Sequence, residues 1–582
     1  MSSTSERPQG STVADALAAG LARHGVTVVF GQSLPSALFL ATPAYGIRQI
    51  SYRTENAGGA MADGYARISG RIGVVAAQNG PAATLLVAPM AEAMTASIPM
   101  LVLVQDVPLA NRDRNAFQEF DHVALFASCA KWVRRLDDPA RVDDYLDAAL
   151  TVACSGRPGP VVLLLPRDLL TTAAPAPPVR RSACLGSFPL DRTRPPDDRV
   201  AAVADLLRNA SRPLVIAGGG VHLSGAAPAL AALQVVASLP VGTTTMGKGS
   251  VDETDPLSVG VVSNYMGPRA MTHHLRRFVH DADVVLLVGT RTNENGTDGW
   301  RALPRNATFV HVDVAGVEIG RNYEAVRLLG DARLTLEDLT AALGAGDLST
   351  RNATRRGFVD EIRTARNRAR ADVASVASSD ATPVRPERVL AELDELLSGR
   401  DDVVVTADAS YATIWVGNQL TARRIGQRFL TPRGLAGLGW GVPLALGAMA
   451  VHPNSTVVTL VGDGGFGHVW SELETAVRED LPIVIVVLNN GILGFQKHVE
   501  LVQLGAHTSA VDFAPVDHAA LAEACGVRGV RITAAHELAP ALSAAIDGRQ
   551  PALVEVMCDP DAFPPITAWE GVAERAILKT DR

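Results

Sequence analysis

Short runs of valine, isoleucine and leucine recur along this chain, separated by segments with helical periodicity. The first third contains VVFG, IGVVAAQ, IPMLVLVQ and GPVVLLLP, the middle contains PLVIAGGG, DVVLLVGT and TFVHVDV, and the last third contains VVVTAD, TVVTLVGDG, IVIVVLNNG and ALVEVM. Such runs are typical of strands buried on both faces of a parallel sheet. The pattern predicts an α/β chain with three doubly wound, parallel-sheet domains in sequence.

Two polar stretches mark the predicted domain limits. A proline-rich stretch runs from Ala173 to Asp197, and a segment rich in arginine and alanine runs from about Ser349 to Asp380. A chain of 582 residues exceeds the size of a single hydrophobic core. We therefore predict domains over residues 1–190, 195–350 and 381–582, with residues 351–380 as a linker.

Charge and composition narrow the possible partners and locations. The formal net charge is −8, and no basic run could follow a phosphate backbone, so no nucleic-acid partner is predicted. The five cysteines are scattered, without a CxxC pair that would suggest a zinc site or a disulfide framework. The N-terminal segment lacks the apolar core of a signal peptide, and no apolar run is long enough to span a bilayer. These features predict a cytoplasmic protein without a membrane partner.

Two short motifs in the last third predict a site for a diphosphate and a metal ion. The sequence GDGGF at 462–466 ends a predicted strand and begins a helix, where free backbone N–H groups favour an anion. Asp463 offers a carboxylate, and Asn490 in LNNG, after the next strand, offers an amide oxygen. With the backbone carbonyl of Ile492, these groups suit Mg²⁺. Taken singly, the motifs could be an ordinary turn and loop.

Together, GDGGF and LNNG resemble the signature of thiamine-diphosphate-dependent enzymes, and the resemblance extends over almost the whole chain. It is closest to the acetolactate synthase large subunit, within a group that includes benzaldehyde lyase and oxo-acid decarboxylases. The resemblance implies an N-terminal pyrimidine-binding domain, a central Rossmann-like domain and a C-terminal diphosphate-binding domain. It also implies thiamine diphosphate and Mg²⁺ as cofactors.

The resemblance implies two catalytic residues. Glu55, in SYRTENAGGAMADGYAR, matches the carboxylate that hydrogen-bonds the pyrimidine ring and activates the cofactor, although its local sequence also fits an ordinary glutamate at a helix start. Gln118 lies in an AFQE loop like that of acetolactate synthases. The implied cofactor contacts are Asp408, Ser410, Tyr411, Ala436, Leu438, Gly462, Asp463, Gly464, Gly465, Asn490, Ile492 and Leu493, of which Asp463, Asn490 and Ile492 also bind the metal.

The implied substrate pocket departs from the synthases at several positions. Its predicted residues are Gln32, Phe117, Lys131, Phe495, Gln496 and Val499. Asp106 replaces a neutral amide, and Val499 replaces a tryptophan. Asn295 stands where the synthases have an arginine that recognises a substrate carboxylate, and an amide cannot replace a bidentate guanidinium.

The predicted function is decarboxylation and carboligation of 2-oxo acids, through a thiazolium ylide and an enamine. Two alternatives remain open: a benzaldehyde-lyase-like carboligase or simple decarboxylase, and a flavin-dependent 2-oxo-acid oxidase. FAD is possible in the central domain, because PLVIAGGG resembles a flavin-contacting turn, but it is not favoured. The resemblance further implies small carbonyl substrates and a homodimer or homotetramer with active sites at the subunit interface.

Overall fold

The computed structural model describes residues 11–177 and 179–569, which form three six-stranded sheets flanked by helices. Every pair of neighbouring strands is parallel, as expected for runs of apolar residues buried on both faces. The predicted α/β fold with three parallel-sheet domains is confirmed. The predicted outer limits at residues 1 and 582, and most of the N-terminal segment considered for a signal peptide, lie outside the described residues.

The first sheet has the strand order β2-β1-β3-β4-β6-β5. Its strands are β1 (Val28–Gly31), β2 (Arg48–Ile50), β3 (Gly73–Ala77), β4 (Met100–Asp106), β5 (Trp132–Arg135) and β6 (Pro160–Pro166). Its helices are α1 (Val13–Arg23), α2 (Ser36–Ala41), α3 (Glu55–Ser69), α4 (Pro81–Leu85), α5 (Val87–Ala96), α6 (His122–Phe126), α7 (Val142–Cys154) and α8 (Arg167–Leu170). Helix α1 begins at a capping box formed by Thr12 and Asp15.

The middle sheet has the order β12-β11-β10-β7-β8-β9, which is the Rossmann order. Its strands are β7 (Pro213–Ala217), β8 (Val241–Thr243), β9 (Ser258–Val261), β10 (Val284–Val288), β11 (Thr308–Asp313) and β12 (Ala325–Leu329). Its helices are α9 (Asp197–Asn209), α10 (Gly219–Leu223), α11 (Ala227–Val236), α12 (Arg276–His280) and α13 (Ala332–Gly344).

The segment predicted as a linker is one long helix, α14 (Ser349–Ala377). Phe358 and Ile362 are buried among apolar residues of the middle domain, and the ring of Phe358 lies 5.7 Å from that of Phe278. Its polar sequence gives only a narrow apolar stripe, which is why the composition resembles a connector. The segment is therefore part of the packed structure.

The third sheet has the order β14-β13-β15-β16-β18-β17, the same connectivity as the first sheet. Its strands are β13 (Val403–Ala407), β14 (Arg428–Leu430), β15 (Thr456–Gly462), β16 (Val484–Asn489), β17 (Arg528–Ile532) and β18 (Ala552–Met557). Its helices are α15 (Pro386–Ser398), α16 (Tyr411–Gln419), α17 (Gly441–Met449), α18 (Asp463–Phe466), α19 (Glu472–Arg478), α20 (Gly494–Leu504), α21 (His518–Ala524) and α22 (Leu538–Asp547). No helix among the described residues could cross a membrane.

One hydrophobic core runs through the first and third domains, because α3 packs directly on α17. The two backbones approach at glycines. A Cβ atom added to Gly64 would lie 2.4 Å from the carbonyl oxygen of Leu444, and one added to Gly447 would lie 2.0 Å from that of Met61. These separations leave no room for any side chain, so the crossing of α3 and α17 requires glycine on both helices.

We predict that Gly447→Ala lowers the melting temperature, because the added methyl group forces α3 and α17 apart at a cost of about 1–3 kcal/mol. Gly357→Ala is the matched control. Gly357 lies in the exposed face of α14 with nothing within 4 Å of an added Cβ, and alanine there should raise stability by about 0.5–1 kcal/mol. Thermal unfolding of the two variants beside the wild type measures both effects. Equal melting temperatures for the two variants would contradict the helix-crossing argument.

Candidate active site

A cleft of about 670 Å³ opens at the C-terminal ends of β13, β15 and β16. β14 and β15 lie on opposite sides of β13, so the chain changes direction across the sheet at this point. Loops diverge at such switch points and leave a crevice in which α/β proteins bind ligands. All twelve of the predicted cofactor contacts line this cleft, as do Phe495 and Gln496 of the predicted substrate pocket.

Three oxygen-bearing groups converge at one end of the cleft, because β15 and β16 are neighbours and both end there. The amide of Asn490 faces Oδ1 of Asp463 at 3.2 Å and the carbonyl oxygen of Ile492 at 2.8 Å. With its nitrogen inward, the amide donates to both atoms. With its oxygen inward, three acceptors face one another, and a cation relieves their repulsion. This donor set fits Mg²⁺. Burial raises the pKa of Asp463 to about 6.

The glycines of the GDGG turn are required by neighbouring side chains. A Cβ atom at Gly465 would lie 1.9 Å from Oδ2 of Asp408, and one at Gly464 would lie 2.8 Å from Cδ2 of Leu493. At Gly465, the space that a side chain would need is taken by the carboxylate of Asp408. The helix predicted after the turn is also interrupted, since α18 and α19 are separate and Val477 is exposed.

Asp408, one of the implied cofactor contacts, holds a loop beside the cleft. Its buried carboxylate accepts hydrogen bonds from the backbone N–H groups of Ala409 at 2.8 Å and of Gly439 and Trp440 at 3.0 Å each. Burial raises the pKa of this carboxyl group. An anion in this position repels a second anion, so Asp408 contributes to the site by fixing residues 439–440.

The other half of the same loop is held by the first domain. Glu92, on α5, accepts hydrogen bonds from the backbone N–H groups of Gly434 at 2.6 Å, Leu435 at 2.5 Å and Ala436 at 3.2 Å. Ala436 has a φ of 62°, which is uncommon for a residue with a side chain, and Ser410 at the opposite wall has a φ of 65°. The loop carrying Ala436 and Leu438 is thus fixed at both ends beside the cleft.

Aromatic side chains form the wall of the cleft near α20. The hydroxyl of Tyr411 lies 2.6 Å from Nδ1 of His498, and the rings of Phe495 and His498 are each 5.7 Å from that of Tyr411. Burial lowers the pKa of His498 to about 4, so the imidazole is neutral near pH 7. Val499, predicted in the substrate pocket, lies outside the residues lining the cleft and packs beside Trp569.

The predicted residues of the first domain gather at the C-terminal edge of the first sheet. Gln32 follows β1, Glu55 begins α3 after β2, and Phe117 and Gln118 lie in the loop after β4. The side chain of Gln118 accepts a hydrogen bond from that of Gln78 at 2.6 Å, and its φ is 58°. Among the described residues, none of these four lines the cleft of the third domain. The single chain thus presents two separate groups of predicted site residues.

Glu472 fixes the start of the helix that carries Glu55. Its carboxylate, fully buried on α19, accepts hydrogen bonds from the backbone N–H groups of Arg53 at 3.2 Å and Thr54 at 3.1 Å. The side chain of Thr475 also donates to it at 2.8 Å. The orientation of Glu55 therefore depends on a residue of the third domain.

Lys131 was predicted in the substrate pocket, and the structure places it elsewhere. Its ammonium group donates to the backbone carbonyls of Val152, Ser155 at 3.1 Å and Arg157 at 2.8 Å, at the end of α7. These bonds use its three donors, so Lys131 is a structural residue of the first domain.

Asp106, which stands where the synthases have a neutral amide, forms a buried ion pair with Arg135 at 2.6 Å.

A second cavity, of about 150 Å³, lies in the middle domain at the C-terminal ends of β7, β10 and β11. It includes Gly219 and Gly220 of the turn that resembles a flavin contact, together with Asp313. Burial raises the pKa of Asp313 to about 6. Any flavin or nucleotide bound by the middle domain would contact this cavity.

Sequence reasoning missed three acidic or basic residues that organise the cleft. Glu92 is the lone charge in the apolar helix VAPMAEAMTA, and Glu472 lies in the helix after GDGGF. A charge surrounded by apolar residues signals a buried partner, but the partners are backbone groups far away in the sequence. Arg433 lines the cleft. It lies in the segment TPRGLAGLG at 431–439, which also contains the predicted cofactor contacts Ala436 and Leu438.

Comparisons with known proteins agree with this arrangement. Three parts of the chain match the thiamine pyrophosphate enzyme family: the N-terminal TPP binding domain over residues 11–125, the central domain over 200–339, and the C-terminal TPP binding domain over 408–556. The central match covers the whole middle sheet. The N-terminal match covers β1 to β4 of the first sheet, and the C-terminal match covers β14 to β17 and nearly all of β18 in the third.

Similar proteins extend over nearly the full chain. The probable acetolactate synthase large subunit of Methanocaldococcus jannaschii is 31% identical over 95% of this chain and 93% of its own length. The acetolactate synthase large subunit of Parasynechococcus marenigrum is 33% identical over 94% and 88%. Acetolactate synthase isozyme 3 large subunit of Escherichia coli is 30% identical over 98% and 99%. The chain therefore belongs to the thiamine pyrophosphate enzyme family and is an enzyme of the acetolactate synthase type.

Proposed function

We propose that the protein uses thiamine diphosphate and Mg²⁺ to decarboxylate a 2-oxo acid and to join the remaining fragment to a second carbonyl compound. The observation that carries this proposal is the convergence of Asp463, Asn490 and Ile492 at the end of the cleft. With the amide oxygen of Asn490 inward, these groups offer three oxygen ligands to a cation that binds a diphosphate.

The lining of the cleft supports a cofactor with one polar and one apolar end. The turn at 462–465 and Ser410 offer backbone N–H groups and a hydroxyl near the oxygen cluster. Leu438 and the carbonyl of Ala436 lie on the fixed loop across the cleft. When bound, thiamine diphosphate supplies a carbon nucleophile and stabilises the negative charge left by decarboxylation.

Glu55 is the proposed catalytic acid–base group. Its role is to hold a proton between its carboxylate and a ring nitrogen of the pyrimidine, and the hydrogen bonds from Arg53 and Thr54 to Glu472 fix its helix for that contact. Gln118 is proposed to border the substrate, with its loop held by the side chains of Gln78 and Asn79.

We propose that the active site forms between two copies of the chain. Glu55 and Gln118 do not line the cleft of their own chain, within the part of the chain that the structure describes. The same edge of the first domain exposes large apolar side chains, with Phe117 83% and Phe120 52% exposed. Apolar groups of this size on one edge are typical of an interface. A symmetric dimer would cover both edges and build two equivalent sites.

The relatives favour carboligation of the acetolactate synthase type over the benzaldehyde-lyase-like and decarboxylase alternatives. For the flavin-dependent oxidase, the relevant feature is the cavity of the middle domain, which includes Gly219 and Gly220.

We expect the protein, supplied with Mg²⁺, thiamine diphosphate and pyruvate, to release carbon dioxide and form acetolactate. Glu55→Gln should lower kcat by about 10²–10⁴-fold, the usual contribution of a general acid–base group, while cofactor affinity changes little. Product analysis, cofactor titration and the visible spectrum measure these properties. Wild-type turnover retained in Glu55→Gln would refute its role, and a bound yellow chromophore would favour the flavin alternative.

Mixing two inactive variants tests whether the site lies between chains. In a dimer of Glu55→Gln with Asp463→Asn, one site combines both substitutions and the other is intact. Random exchange of subunits should therefore restore about one quarter of wild-type activity. The control is each variant exchanged with itself, which should stay inactive. Complete inactivity of the mixture, with hybrid dimers demonstrated by mass spectrometry, would place Glu55 and Asp463 of one chain in the same site.

A further inference from the structure

Two residues border both the cleft and the cavity of the middle domain, within the described part of the chain. They are Asn295, in the loop that contains the short helical turn Asn295–Thr297, and Arg433, in the fixed loop of the third domain. Both residues thus lie at the junction of the middle and third domains. Asn295 stands where the synthases have an arginine that recognises a carboxylate, and Arg433 borders the same two cavities as that position.

Arg433 is available for a ligand. Among the residues that the structure describes, none accepts a hydrogen bond from its guanidinium group or forms an ion pair with it. The other arginine of the cleft, Arg301, is 74% exposed and is turned towards Asp298, whose carbonyl oxygen accepts from its Nε at 3.1 Å. Arg433 is of intermediate exposure, so its guanidinium is open to an anion that enters the cleft.

The backbone beside Arg433 is held rigidly. Glu92 accepts hydrogen bonds from Gly434, Leu435 and Ala436, and Asp408 accepts from Gly439 and Trp440. Arg433 immediately precedes this fixed segment, so its backbone position at the end of the cleft that carries Ala436 and Leu438 is defined. The planar guanidinium of an arginine binds a carboxylate in a bidentate manner.

We infer that Arg433 binds the carboxylate of the acceptor 2-oxo acid and replaces the arginine that Asn295 lacks. This inference rests on the proposed function, because it assigns the acceptor subsite of the same cleft. With Arg433 in this role, the chain binds an acceptor that carries a carboxylate even though residue 295 is asparagine. The specificity-determining arginine has moved from the middle domain to the loop of the third domain.

The test compares Arg433→Gln, Arg433→Lys, the double variant Arg433→Gln/Asn295→Arg, and the control Arg277→Gln, which changes an exposed arginine of α12 that lines neither the cleft nor the cavity of the middle domain. Each protein, loaded with thiamine diphosphate and Mg²⁺, receives pyruvate as donor and either pyruvate or benzaldehyde as acceptor, and the ratio of acidic to neutral product is measured. Calorimetric titration with oxamate, an unreactive carboxylate of similar shape, provides a readout independent of turnover. Cofactor affinity and melting temperature are measured for every variant.

Arg433→Gln should lower the ratio of acidic to neutral product and the affinity for oxamate at least tenfold, with cofactor affinity unchanged. Arg433→Lys should keep part of the product ratio and part of the oxamate affinity, because lysine keeps the charge without the bidentate geometry. Asn295→Arg should restore the ratio in the double variant, and Arg277→Gln should resemble the wild type. An unchanged oxamate affinity in Arg433→Gln, an equal loss with both acceptors, or a loss of cofactor affinity would overturn the inference. If the wild type binds cofactor but forms neither product, the proposed function fails, while the oxamate titration still decides the role of Arg433.

Discussion

The close crossing of α3 and α17 fixes the relation between the two halves of the candidate site. α3 begins with Glu55, and α17 begins directly after the loop that carries Ala436 and Leu438. Because Gly64 and Gly447 allow backbone-to-backbone contact, the helices cannot shift relative to each other without opening a gap or a clash. The positions of both predicted groups of site residues therefore follow from one contact between apolar helices.

Buried carboxylates hold the loops of the candidate site against the packed helices α3 and α17. Glu92, Asp408 and Glu472 each accept hydrogen bonds from two or more backbone N–H groups, and none of them has a basic side chain as its hydrogen-bond partner in the described residues. Backbone donors satisfy a buried anion while leaving the nearby side chains free for other contacts. These three buried carboxylates are thus structural, in contrast to Asp463, the proposed metal ligand.

The sequence predicted the parts of the structure that local pattern encodes. The apolar runs located the strands, and the spacing of GDGGF and LNNG predicted that Asp463 and Asn490 would end neighbouring strands, as they do. The contact of Asp408 with residues 439–440, the use of Lys131 at the end of α7 and the packing of Val499 beside Trp569 were not predictable. Each joins segments far apart in the chain, and its geometry depends on how whole domains pack. The roles of the site residues remain proposals for the same reason: motif spacing locates a residue, but does not supply its ligand.

The helix crossing also bears on how the protein is made. About 380 residues separate Gly64 from Gly447, so α3 leaves the ribosome long before its partner helix exists. Translation adds about 5–20 residues per second, so the glycine-lined face of α3 stays uncovered for roughly 20–80 s during synthesis. During that interval, the first domain exposes an apolar surface to other nascent chains. The contact that orders the finished enzyme is therefore one of the last that can form.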